Sequence, residues 1–205
     1  MAKLRWTVTV VCCLSIIACV GRPSAPTQFY MLNPVSPTTD AQPRVMEPEI
    51  VLVSLDPVEI PQYLNRPQII TQVDGAEYHL DEFNQWLEPL ADTLTRVIAE
   101  NLVAMLDDHR IEVISMERPV ETDFSVTVQI LQLDGNPGKE MVLITRWSLF
   151  DQSDNVLSLT KRAVFKDTVG DDGYQSIIKA QNRLVESLSR EIADAIRPII
   201  LPSGS

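Results

Sequence analysis

The chain has little of what catalysis and metal binding usually draw on. Only two of its 205 residues are histidines, His79 and His109, and the three cysteines, Cys12, Cys13 and Cys19, all stand at the N-terminal end. A zinc site would have to take most of its ligands from carboxylates. His79 falls in an expected hairpin and His109 just after an expected helix, where capping or surface roles suit both. There are seven glycines and no G-x-S-x-G, P-loop or G-x-G-x-x-G pattern, which leaves no nucleophile elbow and little material for a phosphate cradle. Positive charge is scarce too: 17 basic residues against 28 acidic ones give a net charge of -11. Such a surface repels phosphate backbones and anionic head groups, which excludes nucleic acid as a partner and argues against membrane attachment through a basic patch. No convergent nucleophile, base and oxyanion donor can be named, so the chain does not read as an enzyme.

What is present begins with the first nineteen residues. Lys3 and Arg5 precede an uncharged run, Trp6 to Ala18, of the length of a secretory h-region and too short to span a bilayer. The run closes on Ile16-Ile17-Ala18-Cys19, which resembles the lipobox of bacterial lipoproteins. On that reading residues 1–18 are a signal peptide, and Cys19 becomes the first residue and carries a diacylglycerol and an N-acyl chain. Each buried methylene adds about 0.8 kcal/mol, so several chains tether the protein to a membrane stably without spanning it. The competing readings are a plain signal peptide cleaved elsewhere, or a buried apolar segment with Cys19 as a small hydrophobe. Cys12 and Cys13 lack the preceding small residue. With them gone and Cys19 acylated, no intramolecular disulfide can form and no other cofactor is called for. Val20, rather than Asp, follows the lipidated position, which by the sorting rule of enteric bacteria is an outer-membrane address facing the periplasm.

Residues 19–27, with Gly21, Pro23, Ser24 and Pro26, read as a tether, and residues 28–201 as one domain. Gln28 to Leu32 is an expected first strand, Asn33 to Glu49 a Pro-rich loop, and Glu49 to Ile60 a second strand that Pro61 stops. Gln68–Val73 and Ala76–Leu80 flank Asp74-Gly75 as a hairpin. From Pro89 onward Leu90, Leu94, Val97, Ile98, Leu102, Met105 and Leu106 recur at helical spacing. Ile111–Ser115 is a short strand. Phe124, Val126, Val128 and Ile130 alternate before the apolar phase switches at Leu131, as a β-bulge would make it. Glu140–Phe150 and Val156–Val169 complete an antiparallel meander. A closing helix from Gly173 carries Ile177, Gln181, Leu184, Leu188, Ile192, Ala195 and Ile199 until Pro198 and Pro202 end it. The sum is an α+β domain, a largely antiparallel sheet layered against two main helices.

Two acidic stretches read as structure: Asp151 to Asn155 as a turn lacking the glycine and distal glutamate of a calcium loop, and Asp171-Asp172-Gly173 as a helix cap. Two clusters of aromatic, proline and charged residues stand apart. One is Val58-Glu59-Ile60-Pro61-Gln62-Tyr63-Leu64-Asn65-Arg66-Pro67; the other is Asn84-Gln85-Trp86-Leu87-Glu88-Pro89-Leu90. Preorganised Tyr, Trp and Arg favour protein interfaces, so Pro61, Tyr63, Leu64, Arg66, Trp86, Glu88 and Pro89 form a candidate partner or subunit surface. The alternative is that Tyr63 and Trp86 staple loops to the core.

These same features carry a family resemblance. The lipobox, the Tyr30-x-Leu32 strand, the Pro61-x-Tyr63-Leu64-x-Arg66 segment, the Trp86-x-Glu88-Pro89-Leu90 segment and the terminal helix resemble the PqiC-type ABC-transport auxiliary lipoproteins. Leu87 stands where the family more often has a small residue, and the loop from Asn33 to Glu49 is long. The resemblance implies an outer-membrane lipoprotein facing the periplasm. It would serve as a docking subunit, not a catalyst, of an MCE-domain system that moves lipids across the envelope. A homo-oligomeric ring capping the MCE tunnel is compatible with it. The competing expectation is a lipoprotein that binds a small apolar ligand or a lipid in its own cavity.

Overall fold

Among the described residues apolar periodicity organises eight strands and two long helices. The computed structural model describes residues 24–35, 50–106, 110–115, 121–154 and 156–201. The leader with Cys19, most of the Pro-rich stretch after Asn33, His109 and Asn155 lie outside them. The elements run β1 (Gln28–Tyr30), β2 (Val51–Leu55), β3 (Gln68–Asp74), β4 (Glu77–Trp86), α1 (Leu90–Met105), β5 (Ile111–Ser115), β6 (Phe124–Asn136), β7 (Glu140–Asp151), β8 (Val156–Thr168) and α2 (Tyr174–Ile200). They make an α+β fold, with strands in two sheets ordered β1-β4-β3 and β5-β2-β6-β7-β8.

The sheets are mixed. β3–β4 and β6–β7–β8 are antiparallel, but β1 runs parallel to β4, and β2 runs parallel to both β5 and β6. The expected second strand is shorter than Glu49 to Ile60. It stops at Leu55, because Pro57 has no amide to give the ladder, and the chain regains β6 only through a bridge between Glu59 and Gln129. The hairpin turn rests on Gly75, whose φ of 51° is a left-handed conformation that a side chain would disfavour. The bulge falls where the apolar phase switches, between Ile130 and Gln132. It lets β6 bury Ile130 and Leu133 on one face although they are an odd number of residues apart.

The core lies between the five-stranded sheet and the helices. Met141, Leu143, Trp147 and Leu149 of β7 are buried, whereas Arg146 between them is exposed. The helix α2 packs on β7 and β8, and α1 on β5 and α2. Trp147 is fully buried, and its indole N–H donates to Glu191 at 3.0 Å. At the helix seam the amide of Asn101 donates to Ser189 and its oxygen accepts from the Val35 amide, so a buried polar pair is satisfied. The expected stripe of α2 drifts by one residue at its end: Ile196 and Ile200 are buried, while Ala195 is partly exposed and Ile199 is 37% exposed. Four-residue steps from Ile192 lead to 196 and 200. Pro198 does not end the helix, which continues to Ile200. A proline so near the C-terminus forfeits a single bond and leaves the last turn intact.

A candidate interaction site around Tyr63 and Arg66

A tight turn after Pro61 sets the first cluster: the Leu64 amide donates to the Pro61 carbonyl at 3.0 Å and the Asn65 amide to that of Gln62 at 3.2 Å. This turn drives Leu64 into the core at 4% exposure and leaves Asn65, Arg66 and Pro67 outside. The second cluster is tied to the first through the backbone, since the Trp86 amide donates to the Pro67 carbonyl at 2.7 Å. Trp86 is 6% exposed. Leu64 and Trp86 therefore act as staples, a correction to the reading that grouped them with surface contacts. Their large apolar area favours burial once the turn aims them inward. Pro61 is half-buried, and Arg66, Leu87, Glu88 and Pro89 are exposed, with Pro89 at the N-cap of α1.

Tyr63 bridges surface and core. Its hydroxyl donates to Asp134 at 2.5 Å, and the Gln132 side chain donates to the other oxygen of the same carboxylate at 2.8 Å. Asp134 is fully buried. Burial, then the bond to this carboxylate, pushes the Tyr63 phenol far above its ordinary range. The Tyr78 ring lies 5.9 Å from that of Tyr63. β6 continues past Asp134 to Asn136, although Asp134-Gly135-Asn136-Pro137-Gly138 has the composition of a turn. The role of Asp134 shows only once β6 is seen beside the Tyr63 turn.

Two depressions flank Arg66. One, of about 370 Å³, is lined by Tyr63, Arg66, Ile70, Tyr78, Leu80 and Leu131 along with Gln132. The other, of about 300 Å³, is lined by Arg66, Pro67, Trp86, Leu87 and Pro89 among others. The guanidinium of Arg66 makes no ion pair or hydrogen bond among the described residues. Tyr78 and Leu80 in the first depression and Leu87 in the second stay exposed, as do Phe29 and Phe83 of the small sheet.

Elsewhere the polar clusters are accounted for by structure. Asp81 accepts from the amides of Phe83 and Asn84 and from the Tyr174 hydroxyl at 3.0 Å. Burial pushes its carboxyl up, but these donors outweigh that and hold it below the usual carboxylate range. His79 is exposed, 3.8 Å from Asp81. Asp151 accepts from Ser153, as the expected turn requires, and Asp171 accepts from Gly173 and Ser176 at the start of α2. Among the described residues no group of three His, Cys, Asp or Glu side chains could hold a metal ion, and no helix is long and apolar enough to cross a membrane.

Comparison with known proteins bears on this arrangement. The family model described as ABC-type transport auxiliary lipoprotein component matches residues 30–193. A solved structure described as an uncharacterized protein is similar at a TM-score of 0.67 and 20% identity, over 84% of this chain and 99% of that one. A Xanthomonas campestris protein of the DUF330 family is similar at a TM-score of 0.64 and 14% identity, over 82% and 93%. At such identities these two structures show a shared fold. No match is found among curated proteins.

Proposed function

The chain belongs to the family of ABC-type transport auxiliary lipoprotein components, and from that premise we propose that it is a docking subunit of an MCE-type lipid transport system, held at the outer membrane and facing the periplasm. The observation that carries the reading is the family match, which spans nearly all of the folded unit. The chain's N-terminal pattern supports it, since a short leader ends at Cys19, where acylation would anchor the domain. Residues 1–18 are then the leader and 19–27 the tether. Acyl anchoring raises the effective concentration of the domain for a partner reaching from the opposite membrane, and no catalytic step is needed.

The contact surface is the exposed part of the two clusters: Arg66, Glu88 and Pro89, with Tyr63 and Pro61 at its edge and Leu64 and Trp86 fixing it from beneath. A homo-oligomeric ring would present several copies of this surface to one MCE assembly. The test is a pull-down from detergent-solubilised envelopes with the intact lipoprotein as bait, read by mass spectrometry, beside Arg66→Ala/Glu88→Ala. Capture of an MCE-domain protein by the unaltered chain and its loss in the double variant is the expected result. No MCE-domain protein in either sample sinks the reading. Cys19→Ala should move the protein from the membrane to the soluble fraction.

A further inference from the structure

The groove between the β3–β4 hairpin and β6 has a composition that docking alone does not explain. Hairpin register sets Ile70 opposite Leu80 and Gln72 opposite Tyr78, so these side chains share one face. On that face Ile70 is buried, while Tyr78 and Leu80 remain 41% and 37% exposed. Beside them Tyr63 and Leu131 complete an apolar wall. Two polar side chains that line it are already committed, since the Tyr63 hydroxyl and the Gln132 amide both donate to the Asp134 carboxylate. The groove therefore offers apolar surface with few free hydrogen-bonding groups. Its volume, about 370 Å³, falls in the range of small-ligand sites. At its rim the Arg66 guanidinium has no partner among the described residues, although the chain as a whole has an excess of carboxylates.

We propose that this groove binds a single-chain anionic amphiphile, with the alkyl chain on Ile70, Tyr78, Leu80 and Leu131 and the head group paired with Arg66. Arginine presents its donors as a planar fork that suits carboxylate and phosphate alike, so the head-group class is an anion of either kind. The apolar wall selects for a chain attached to it. A free anion gains nothing from Leu80 or Tyr78, and a neutral amphiphile gains nothing from Arg66. This site goes beyond the docking surface: Leu80 and Ile70 lie in the groove, whereas Glu88 and Pro89 line the neighbouring depression.

The core closes on itself from Leu32 to Ile200, so the chain from residue 20 onward can be prepared without leader or acyl groups and studied in detergent-free buffer. Trp86 lines the depression that shares Arg66, so quenching of its emission by 2-bromododecanoate, whose bromine sits beside the head group, reports occupancy; Trp147, on the helix side of β7, is the distant reference. Dodecyl phosphate, dodecanoate, dodecyl maltoside, dodecyltrimethylammonium and inorganic phosphate are then tested as competitors. The expected result is saturable quenching, displaced by dodecyl phosphate or dodecanoate at least tenfold more effectively than by the maltoside, the cation or inorganic phosphate. Arg66→Gln should weaken the bromo-acid at least tenfold, and Leu80→Glu should abolish its binding while keeping the thermal transition. Absence of quenching, equal competition by the neutral amphiphile or by inorganic phosphate, or undiminished binding in Arg66→Gln overturns the proposal. None of these outcomes depends on whether an MCE-domain protein is captured.

Discussion

The hydroxyl of Tyr63 donates to the buried carboxylate of Asp134 at 2.5 Å, across a sequence separation of 71 residues. This bond ties the turn that presents Arg66 to the middle of the large sheet. Tyr63→Phe removes the donor and leaves a buried carboxylate with Gln132 as its remaining side-chain donor among the described residues. A lost bond to a charged group costs roughly 1.5–3 kcal/mol, so urea unfolding of the variant should show a lower midpoint with an unchanged slope. An unchanged midpoint would mean that water serves Asp134 as well as the phenol does.

Alkaline solution tests the same bond from the other side. Tyr63 and Tyr174 are both half-buried against carboxylates, and the phenols of both are raised above the ordinary value of 10.0. Above pH 10 the unfolded chain releases these protons while the folded chain keeps them, so the folded state binds more protons and stability falls as pH rises. The contribution is fully present below pH 10. Urea midpoints measured from pH 8 to 11.5 should be flat at first and then decline. In Tyr63→Phe/Tyr174→Phe the decline should be shallower; an identical decline would assign it to other groups.

Much of this architecture could be read in advance, because it depends on local rules. Asp74-Gly75 announced the hairpin, the apolar spacing from Leu90 announced α1, and the phase switch at Leu131 marked a bulge that register confirms. What could not be read depends on distant backbone. Trp86 and Leu64 have no local pattern that separates a staple from a surface anchor; the Pro67 carbonyl, which accepts from Trp86, decides it. Asp134 sits in a stretch, Asp134 to Gly138, whose composition says turn, yet pairing with Val142 keeps it in the strand and Tyr63 makes its burial tolerable. Likewise the parallel placement of β2 between β5 and β6 follows from crossovers that no short window contains.

Gly135 gives a third prediction. It pairs with Met141 just before the β6–β7 turn, where a Cβ would overlap the Glu140 carbonyl and come within 2.6 Å of the Met141 Cα. Both are backbone atoms, so the collision cannot be relieved by a rotamer. Gly135→Ala should cost about 1–3 kcal/mol, the scale of overpacking, read as a lower thermal midpoint. Because the strand carries Asp134 beside it, the variant should also loosen the Tyr63 turn and speed amide exchange at Leu64. Gly75→Ala, by contrast, meets no atom within 4 Å and is opposed only by its positive φ, so its cost should be smaller.

The outward face of the large sheet sets two like charges side by side. Arg146 on β7 is the direct cross-strand partner of Arg162 on β8, both are exposed, and neither forms an ion pair among the described residues. Like charges directly opposite across an antiparallel pair are unfavourable, whereas opposite charges contribute roughly 0.2–1 kcal/mol. Arg162→Glu should therefore raise stability by about 1 kcal/mol at low salt, through relief of repulsion and gain of a cross-strand pair with Arg146. Arg162→Gln should give about half of that. The advantage should shrink as added salt shortens the screening length from about 10 Å at 0.1 M to about 3 Å at 1 M. Chemical denaturation in urea, which leaves ionic strength free to be varied, is the measurement. A gain that persists undiminished in 1 M salt would trace the effect to strand packing around Val164 rather than to charge.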